Sequence, residues 1–332
     1  MLRGMGGPMM TDTMGGSRTG GLGPGNQTWG EAPPAAAQAA ELQPVEREHR
    51  LRLADGRLLA CLALGDPAGS PVLYFHGYPG SRLESRLAAG AARRRGLRLL
   101  APDRPGFGAS TFQPGRTIGA WAADVAELAD CYGLERFAVL GVSGGGPYAL
   151  ACAARIPGRL SRVALVGALG PPGRRPLVRD MVAVNRLALA LAARSPSVAR
   201  LGVELAARWI RRHPEHHLAL MTVAAPAADR RVLADPAYRA LLTASTAEAL
   251  RQGGRGAARE LTLLARPWDF SLREIFVPVR IWQGLADNIV PPAMARDLAA
   301  GLPRSELNCV PDEGHLSLIV RRLDAVLADL CA

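Results

Sequence analysis

Short apolar runs alternate with longer amphipathic segments along most of this chain. Strands are predicted at 71–76, 97–101, 137–142, 162–167, 278–282 and 306–310, and the first of these is of the buried type. A segment with helical spacing follows each of them except 162–167. Before them, the runs 46–53 and 57–64 are separated by Ala54-Asp55-Gly56, a turn sequence typical of a β-hairpin. The alternation predicts an α/β fold with a mainly parallel sheet covered by helices on both faces.

Two segments depart from this alternation. Residues 1–44 are rich in Gly, Met, Pro and Ala and show no periodicity, so we expect a disordered tail. Residues 171–270 are rich in Ala, Leu and Arg, with helical spacing and no strand signal. We therefore expect a helical cap inserted between two strands of the sheet. The core of the fold would comprise residues 45–170 and 271–332.

The sequence from Gly141 to Gly145 fits G-x-S-x-G, the pattern of a nucleophile elbow. It stands between a predicted strand and a predicted helix, where a sharp turn would hold the Ser143 hydroxyl clear of the sheet. Glycines suit this turn because neighbouring Cβ atoms would collide with the strand and the helix. A bare G-x-S-x-G also occurs by chance, and the uncharged run 137–154 has the length of a membrane span. The glycines at 144–146 argue against a continuous helix there.

A serine nucleophile needs a general base, and His315 is the best-placed histidine. It follows the last predicted strand, in a loop that would emerge at the same edge of the sheet as Ser143. Asp287 follows the preceding strand and could orient the imidazole. The order Ser143, Asp287, His315 is the one expected of an α/β-hydrolase. The alternatives are a surface histidine in a loop and an aspartate that only forms a turn before Asn288.

An oxyanion hole is the third requirement of this chemistry. The backbone N–H of Gly144 would supply one donor. The second should come from the loop after strand 71–76, where we choose the N–H of Tyr78 because Pro79 has none. Gly77 is the alternative donor and a candidate substrate-binding residue. The side chain of His76 is expected to brace this loop.

Five motifs together resemble the α/β-hydrolase superfamily. They are HGYPGSR at 76–82, DRPGFGAS at 103–110, GVSGGGPYALA at 141–151, WQGLADNIVP at 282–291 and EGHLSL at 313–318. The resemblance implies a cofactor-free hydrolase with an eight-stranded sheet and a helical cap after the sixth strand. It also implies that Asp103 and its glycines shape a loop beside the site. Similar epoxide hydrolases and haloalkane dehalogenases have an aspartate where this chain has Ser143, so those activities are disfavoured.

We therefore expect a serine hydrolase that cleaves small or medium carboxylic esters through an acyl-enzyme. Other acyl transfer, peptide hydrolysis and carbon–carbon bond hydrolysis are alternatives on the same fold. A small-molecule binding protein without turnover is the alternative from another class. No cofactor and no metal are expected, and a small-molecule ester is the expected partner.

Composition narrows the partners further. The net charge is +11, and because the chain contains no lysine, all of its basic side chains other than histidine are arginines. No nucleic-acid-binding motif accompanies this charge, so a nucleic-acid partner is not expected. Five scattered cysteines predict reduced, mostly buried thiols in a cytoplasmic protein. The amino terminus lacks the apolar segment of a secretory signal, and stable membrane insertion is not expected. A homodimer is one option for the oligomeric state.

The predicted cap holds further candidates. It contains 16 arginines against 8 acidic residues, which could attract an anionic substrate or a lipid surface, or could simply be a solvated helix face. The histidines at 213, 216 and 217 could share a helical face, as metal ligands or as surface residues. Trp209 and Trp268 are candidate substrate-binding residues of an apolar acyl pocket, with cap core as the alternative.

Overall fold

The structure is a computed structural model that describes residues 46–172 and 178–331. All described residues belong to one compact unit, and the predicted tail 1–44 lies outside them. Within the described residues, eight strands form one sheet in the order β1-β2-β4-β3-β5-β6-β7-β8. The strands are β1 Arg47–Arg52, β2 Leu58–Gly65, β3 Ser70–Phe75, β4 Leu97–Pro102, β5 Phe137–Val142, β6 Leu160–Val166, β7 Val279–Gly284 and β8 Ser305–Val310.

The sheet is mainly parallel, as the alternation predicts. Strands β3 to β8 pair in parallel, whereas β2 pairs antiparallel with both β1 and β4. The antiparallel edge follows from the β1–β2 hairpin, because a short turn can join only antiparallel strands. The remaining strands are joined by crossovers that contain helices, so their carboxyl ends lie at one edge of the sheet.

Eleven α-helices lie within the described ranges. They are α1 Ala89–Arg94, α2 Trp121–Cys131, α3 Gly146–Arg155, α4 Ala183–Arg194, α5 Pro196–Arg212, α6 Pro214–Val223, α7 Ala227–Ala234, α8 Pro236–Ala249, α9 Arg255–Leu264, α10 Pro292–Gly301 and α11 His315–Cys331. Helix α2 begins at Trp121, four residues after Thr117. The Thr117 hydroxyl accepts from the N–H of Ala120 and donates to Asp269, which ties this residue to the loop before the helix.

Both faces of the sheet are buried, and β3 shows how. Leu73 and Phe75 belong to the apolar cluster that includes α2, α3 and α10. Val72 and Tyr74 alternate with them and belong to the cluster of the opposite face, which includes α1 and α11. A strand that is covered on both sides reads as a continuous apolar run, which is why these strands were visible in the sequence.

The helical region after β6 comprises α4 to α9. Helix α9 is tied to the core by Glu260, a fully buried carboxylate. Its Oε1 lies 2.7 Å from Nη2 of Arg104, and its Oε2 lies 2.9 Å from Nη2 of Arg116 and 3.1 Å from the hydroxyl of Tyr148. The prediction of a helical region after the sixth strand is confirmed; it is consistent with a cap, and we call α4 to α9 the cap region.

The expectation that the cysteines are mostly buried is wrong. All five are free thiols, but only Cys61 and Cys152 are buried. Cys131 and Cys331 end helices α2 and α11 at the surface, and Cys309 points outward from the edge strand β8. Apolar neighbours in the sequence therefore did not show which cysteines lie on an exposed face and which lie in the core.

Candidate active site

Ser143 occupies the turn between β5 and α3, at the carboxyl end of the strand. Its φ of 51° lies in the left-handed region, which is strained for a residue with a side chain. Gly145 makes the turn sterically feasible, because a Cβ there would stand 2.2 Å from the carbonyl oxygen of Phe75. Strand, turn and helix therefore fix the hydroxyl at the edge of the sheet.

Ser143, His315 and Asp287 are joined by hydrogen bonds. Nε2 of His315 lies 3.0 Å from Oγ of Ser143, and its Nδ1 lies 2.8 Å from Oδ2 of Asp287. The other oxygen, Oδ1 of Asp287, accepts from the N–H groups of Ile289 at 2.9 Å and Val290 at 2.8 Å. Asp287 therefore stabilises a turn, which was the alternative role considered for it, and it also contacts the imidazole of His315.

The surroundings of His315 favour its protonated form. Burial lowers the pKa of the imidazole, but the charge and hydrogen bond of Asp287 raise it, assisted by the charges of Asp229 and Glu84. The net result is a His315 pKa above its usual value. An imidazole that receives a proton from Ser143 would be stabilised in this environment.

The backbone around His315 is held by a residue from the cap region. Asp229 of α7 is fully buried, and its Oδ2 accepts from the N–H of His315 at 2.9 Å. Its Oδ1 accepts from the N–H of Ser317 at 2.9 Å, so one carboxylate satisfies two free donors in the first turn of α11. A Cβ at Gly314 would stand 2.5 Å from Oδ1, so this contact requires glycine there. Sequence reasoning missed Asp229, because it lies 86 positions from His315.

Tyr78 and Gly144 are in direct contact beside Ser143. A Cβ at Gly144 would stand 2.7 Å from Cβ and 3.3 Å from the amide nitrogen of Tyr78. The N–H of Gly77 donates to Oε1 of Glu84 at 2.9 Å, so it is already occupied. Of the two candidate donors in this loop, Tyr78 is the one left for a ligand.

His76 and Arg104 support the same loop from behind. Nδ1 of His76 donates to the carbonyl of Gly77 at 2.9 Å, and Nε2 accepts from the N–H of Arg104 at 3.3 Å. The Arg104 guanidinium donates to the carbonyls of His76 at 2.6 Å and Gly77 at 3.0 Å. Burial, followed by the charge of Arg104, lowers the pKa of His76 well below its usual value. A neutral His76 with its proton on Nδ1 satisfies both bonds.

A cavity of about 100 Å³ lies at Ser143 and His315, lined by residues of the core and of the cap region. Gly77 and Tyr78 form part of its wall. Most of its other lining is apolar and includes Leu87, Val142, Leu218, Leu242, Ile319 and Val320. Polar side chains also reach it, namely Glu84, His217, Ser245 and Thr246. Sequence reasoning did not single out Glu84.

The interpretation of Trp209 and Trp268 as lining residues is corrected, because neither lines this cavity. Trp209 lies on α5 with 40% of its surface exposed, and its ring is near His213 at the outside of the cap region. Trp268 stacks on Phe270 with ring centroids 5.5 Å apart, against the large core cluster. A tryptophan in the sequence predicts apolar packing, but it does not predict which surface of the protein its side chain packs against.

Among the three histidines of the cap region, only His217 reaches the cavity. The rings of His213 and His216 contact each other edge to face, with centroids 5.5 Å apart. In the part of the chain that the structure describes, no group of three His, Cys, Asp or Glu side chains could hold a metal ion.

None of the helices in the described ranges has the length and apolar character needed to cross a membrane.

Comparison with known proteins gives the family. The family model described as the alpha/beta hydrolase fold matches residues 70–321. The chain belongs to the α/β-hydrolase superfamily. The expected fold class and the resemblance to this superfamily are both confirmed.

Individual relatives of this α/β-hydrolase match over shorter segments. One segment is 37% identical over 109 residues to 2-hydroxy-6-oxo-2,4-heptadienoate hydrolase from Pseudomonas putida, covering 31% of this chain and 39% of that protein. A non-heme chloroperoxidase from Streptomyces lividans is 36% identical over 110 residues, covering 32% of this chain and 40% of that protein. The matched part of the chain thus spans about two fifths of each of these curated relatives. The solved structure of an alpha/beta hydrolase fold protein from Nakamurella multipartita superposes with a TM-score of 0.62 at 25% identity, covering 86% of this chain and 98% of that one.

Proposed function

We propose that this α/β-hydrolase cleaves carboxylic esters of small or medium size through an acyl-enzyme intermediate. The observation that carries the proposal is the chain of hydrogen bonds from Asp287 through His315 to Ser143, at 2.8 and 3.0 Å. A serine hydroxyl becomes an effective nucleophile when a base stands within hydrogen-bond reach and a third group orients that base.

In the proposed reaction, Oγ of Ser143 attacks the ester carbonyl and its proton passes to Nε2 of His315. The tetrahedral intermediate collapses, and the leaving alcohol takes that proton from His315. Water then attacks the acyl-serine and gives a proton to Nε2. Collapse of the second intermediate breaks the bond to Oγ, which recovers the proton, and releases the acid. Asp287 stabilises the imidazolium in each half-reaction.

Two backbone donors are proposed to hold the negative oxygen of each intermediate. The N–H of Gly144 follows the nucleophile directly, and the N–H of Tyr78 is next to it in space. Because Glu84 already binds the N–H of Gly77, we assign the second donor to Tyr78. Preorganised donors of this kind stabilise charge that develops only during the reaction.

The cavity supports a restricted substrate size. Its mostly apolar wall suits an alkyl or aryl group, and its small free volume suits a short one. The free cysteines support the further proposal of a cytoplasmic location, because structural disulfides are typical of oxidising compartments.

Replacing Ser143 with Ala tests the proposal. We expect wild-type protein to hydrolyse nitrophenyl butyrate and to be labelled by a fluorophosphonate, and S143A to lose both properties while keeping its circular dichroism spectrum. Ser161 is exposed on β6, and S161A is the matched control that should retain both. Wild-type protein that binds small esters but is neither labelled nor active would indicate the non-catalytic alternative instead.

Carbon–carbon bond hydrolysis is the second candidate, favoured by the similarity to the Pseudomonas putida hydrolase. A substrate panel separates the two functions. Turnover of a 2-hydroxy-6-oxo-dienoate that exceeds turnover of all nitrophenyl esters in kcat/KM would replace ester hydrolysis as the proposal.

A further inference from the structure

Glu84 is a buried carboxylate in the wall of the cavity that holds Ser143 and His315. It lies on the short 3-10 helix Arg82–Ala88, and 9% of its surface is exposed. Its Oε1 accepts from the hydroxyl of Tyr74 at 3.0 Å and from the N–H of Gly77 at 2.9 Å. Within the described residues, no group donates a hydrogen bond to Oε2.

Two glycines leave space around this second oxygen. A Cβ at Gly80 would stand 2.7 Å from Oε2 of Glu84, and a Cβ at Gly77 would stand 3.2 Å from it. The same Cβ at Gly77 would be 3.5 Å from Cβ of Ser143. The carboxylate and the nucleophile therefore flank the same glycine, and only a few bonds of a bound substrate would separate them.

The oxygen Oε2 is in an environment that favours a ligand. An acceptor oxygen beside a mostly apolar cavity is normally satisfied by a hydrogen bond from protein, water or ligand. Leu87 and Val142 of the cavity wall have no donor to offer. Among the described residues, the hydroxyls of Ser245 and Thr246 line the cavity without bonding to Oε2. Burial raises the pKa of Glu84, although the hydrogen bonds from Gly77 and Tyr74 oppose this shift. In its carboxylate form, Oε2 accepts hydrogen bonds and cannot donate them.

We propose that Glu84 is a specificity-determining residue, whose Oε2 selects esters that carry a hydrogen-bond donor close to the reacting carbonyl. The donor is a hydroxyl or a protonated amine on the acyl or the alcohol portion. This inference rests on the proposed ester hydrolysis and adds a substrate class to it. The two oxygens of Glu84 have different roles in this proposal: Oε1 holds the loop of Gly77, and Oε2 binds the substrate.

The substitution Glu84→Gln tests this division. Glutamine retains an oxygen for Tyr74 and Gly77 but places an amide donor where Oε2 stands, so that a donor on the substrate meets a donor on the protein. A hydrogen bond to a charged group is worth roughly ten- to hundredfold in affinity. The charge of Glu84 also helps to raise the pKa of His315, so the comparison is made above the acid limb of the reaction. There we expect kcat/KM for donor-bearing esters to fall by about that factor in E84Q, and kcat/KM for their donor-free counterparts to stay within about threefold.

Matched esters locate the donor and its type. Nitrophenyl 3-hydroxybutyrate is compared with nitrophenyl butyrate to probe the acyl side. Ethyl, 2-hydroxyethyl and 2-(dimethylamino)ethyl butyrate probe the alcohol side, and the last two distinguish a neutral hydroxyl from an ammonium group. The proposal requires that wild-type protein prefers the donor-bearing member on at least one side and that E84Q loses this preference.

Leu87 provides the control variant, because it lies on the same short helix and lines the same cavity. L87M should change kcat/KM for both members of each pair by the same factor. Equal losses for both members in E84Q would mean that Glu84 only positions the loop and would overturn the proposal. So would an unchanged preference in E84Q, or a preference that L87M alters as strongly.

The failure of the subsite and the failure of the hydrolase proposal are distinguishable. Wild-type protein that is labelled at Ser143 and hydrolyses both members of every pair equally would retain the hydrolase and refute the role of Glu84. Wild-type protein that hydrolyses no ester and takes up no fluorophosphonate would refute both. Circular dichroism and thermal unfolding of E84Q establish that any change in preference occurs in a folded protein.

Discussion

At the scale of single residues, the site depends on carboxylates whose two oxygens do different things. Oδ1 of Asp287 holds its own loop through Ile289 and Val290, so Oδ2 is oriented toward His315 independently of the imidazole. The side chain of Gln283 adds a third contact, with Nε2 3.3 Å from Oδ2. An acceptor that is fixed in this way keeps the proton on Nδ1 and leaves Nε2 to face Ser143.

The pH dependence of the reaction should report the environment of His315. Because the pKa of His315 is raised, this residue becomes protonated at a higher pH than an ordinary histidine, whose pKa is about 6.5. We expect the acid limb of kcat/KM to have its midpoint above about 6.5. In Asp287→Asn the limb should move to lower pH, and kcat should fall by roughly 10⁴-fold. A limb that is unchanged in D287N would contradict the assigned partner.

At the scale of elements, helix α11 is capped from outside its own sequence. Most helix amino termini are capped by the residue that precedes them, but here Asp229 of α7 binds the first-turn N–H groups of His315 and Ser317. The helix that carries the proposed base is thus positioned by the cap region.

Replacing Asp229 should therefore affect both stability and the base. Asp229→Ala leaves two buried N–H groups unpaired, at about 1–3 kcal/mol each. Asp229→Asn keeps one acceptor oxygen but removes a charge that raises the pKa of His315, so the acid limb of kcat/KM should shift to lower pH. Urea unfolding and a pH–rate profile measure the two effects.

Asp235 supplies the matched control for this experiment. It caps α8 of the same region by accepting from the N–H of Ala237 at 2.9 Å. Asp235→Ala should lose about 1 kcal/mol of stability without moving the acid limb. An acid limb that moves equally in both variants would refute a specific link between Asp229 and His315.

Most strands were predictable because they are largely apolar runs that end in turn residues. Strand β1, with the sequence REHRLR, is polar and was predictable only together with the hairpin turn that follows it. The order Ser143, Asp287, His315 is visible in the sequence. Contacts made by a buried polar side chain with distant residues were not. Glu84, Asp229 and Glu260 carry no local pattern that distinguishes them from solvent-exposed acids. Their roles depend on burial, which follows from the packing of segments far apart in the chain.

At the scale of the whole molecule, one buried ionic cluster joins the cap region to the core. Glu260 of α9 contacts Arg104 and Arg116, and none of the three side chains is more than 2% exposed. Arg104 also donates to the carbonyls of His76 and Gly77, which belong to the loop beside Ser143. The attachment of the cap region and the shape of the site therefore share one arginine.

Removing the central carboxylate should destabilise the whole fold. Glu260→Gln leaves two buried guanidinium groups without their counter-charge, and we expect a loss of about 3–5 kcal/mol in the free energy of unfolding. Asp130→Ala, which breaks the exposed ion pair with Arg159, is the control and should lose less than about 1 kcal/mol. Comparable losses in the two variants would contradict a special role for the buried cluster.

The contribution of Glu260 should also depend on pH in a defined direction. Burial raises the pKa of this carboxyl, but Arg104 and Arg116 outweigh burial and hold it below its usual value. A depressed folded-state pKa stabilises the protein above the unfolded value of about 4.3, and this stabilisation is lost as the pH falls through the folded-state pKa. The difference in unfolding free energy between wild type and E260Q should therefore narrow on acidification.

The close approach of Asp229 to Gly314 links two regions that protein engineers would wish to vary separately. An engineer who wants to change the substrate range would vary the cap region and keep the loop before His315 unchanged. With 2.5 Å between Oδ1 of Asp229 and the Cβ position of residue 314, a side chain at 314 would collide with the carboxylate. Loss of the carboxylate would in turn leave the N–H groups of His315 and Ser317 without their acceptor. Grafting a foreign cap onto this scaffold would require an acceptor at the place of Asp229 together with glycine at 314, or the hybrid would inherit a misaligned base.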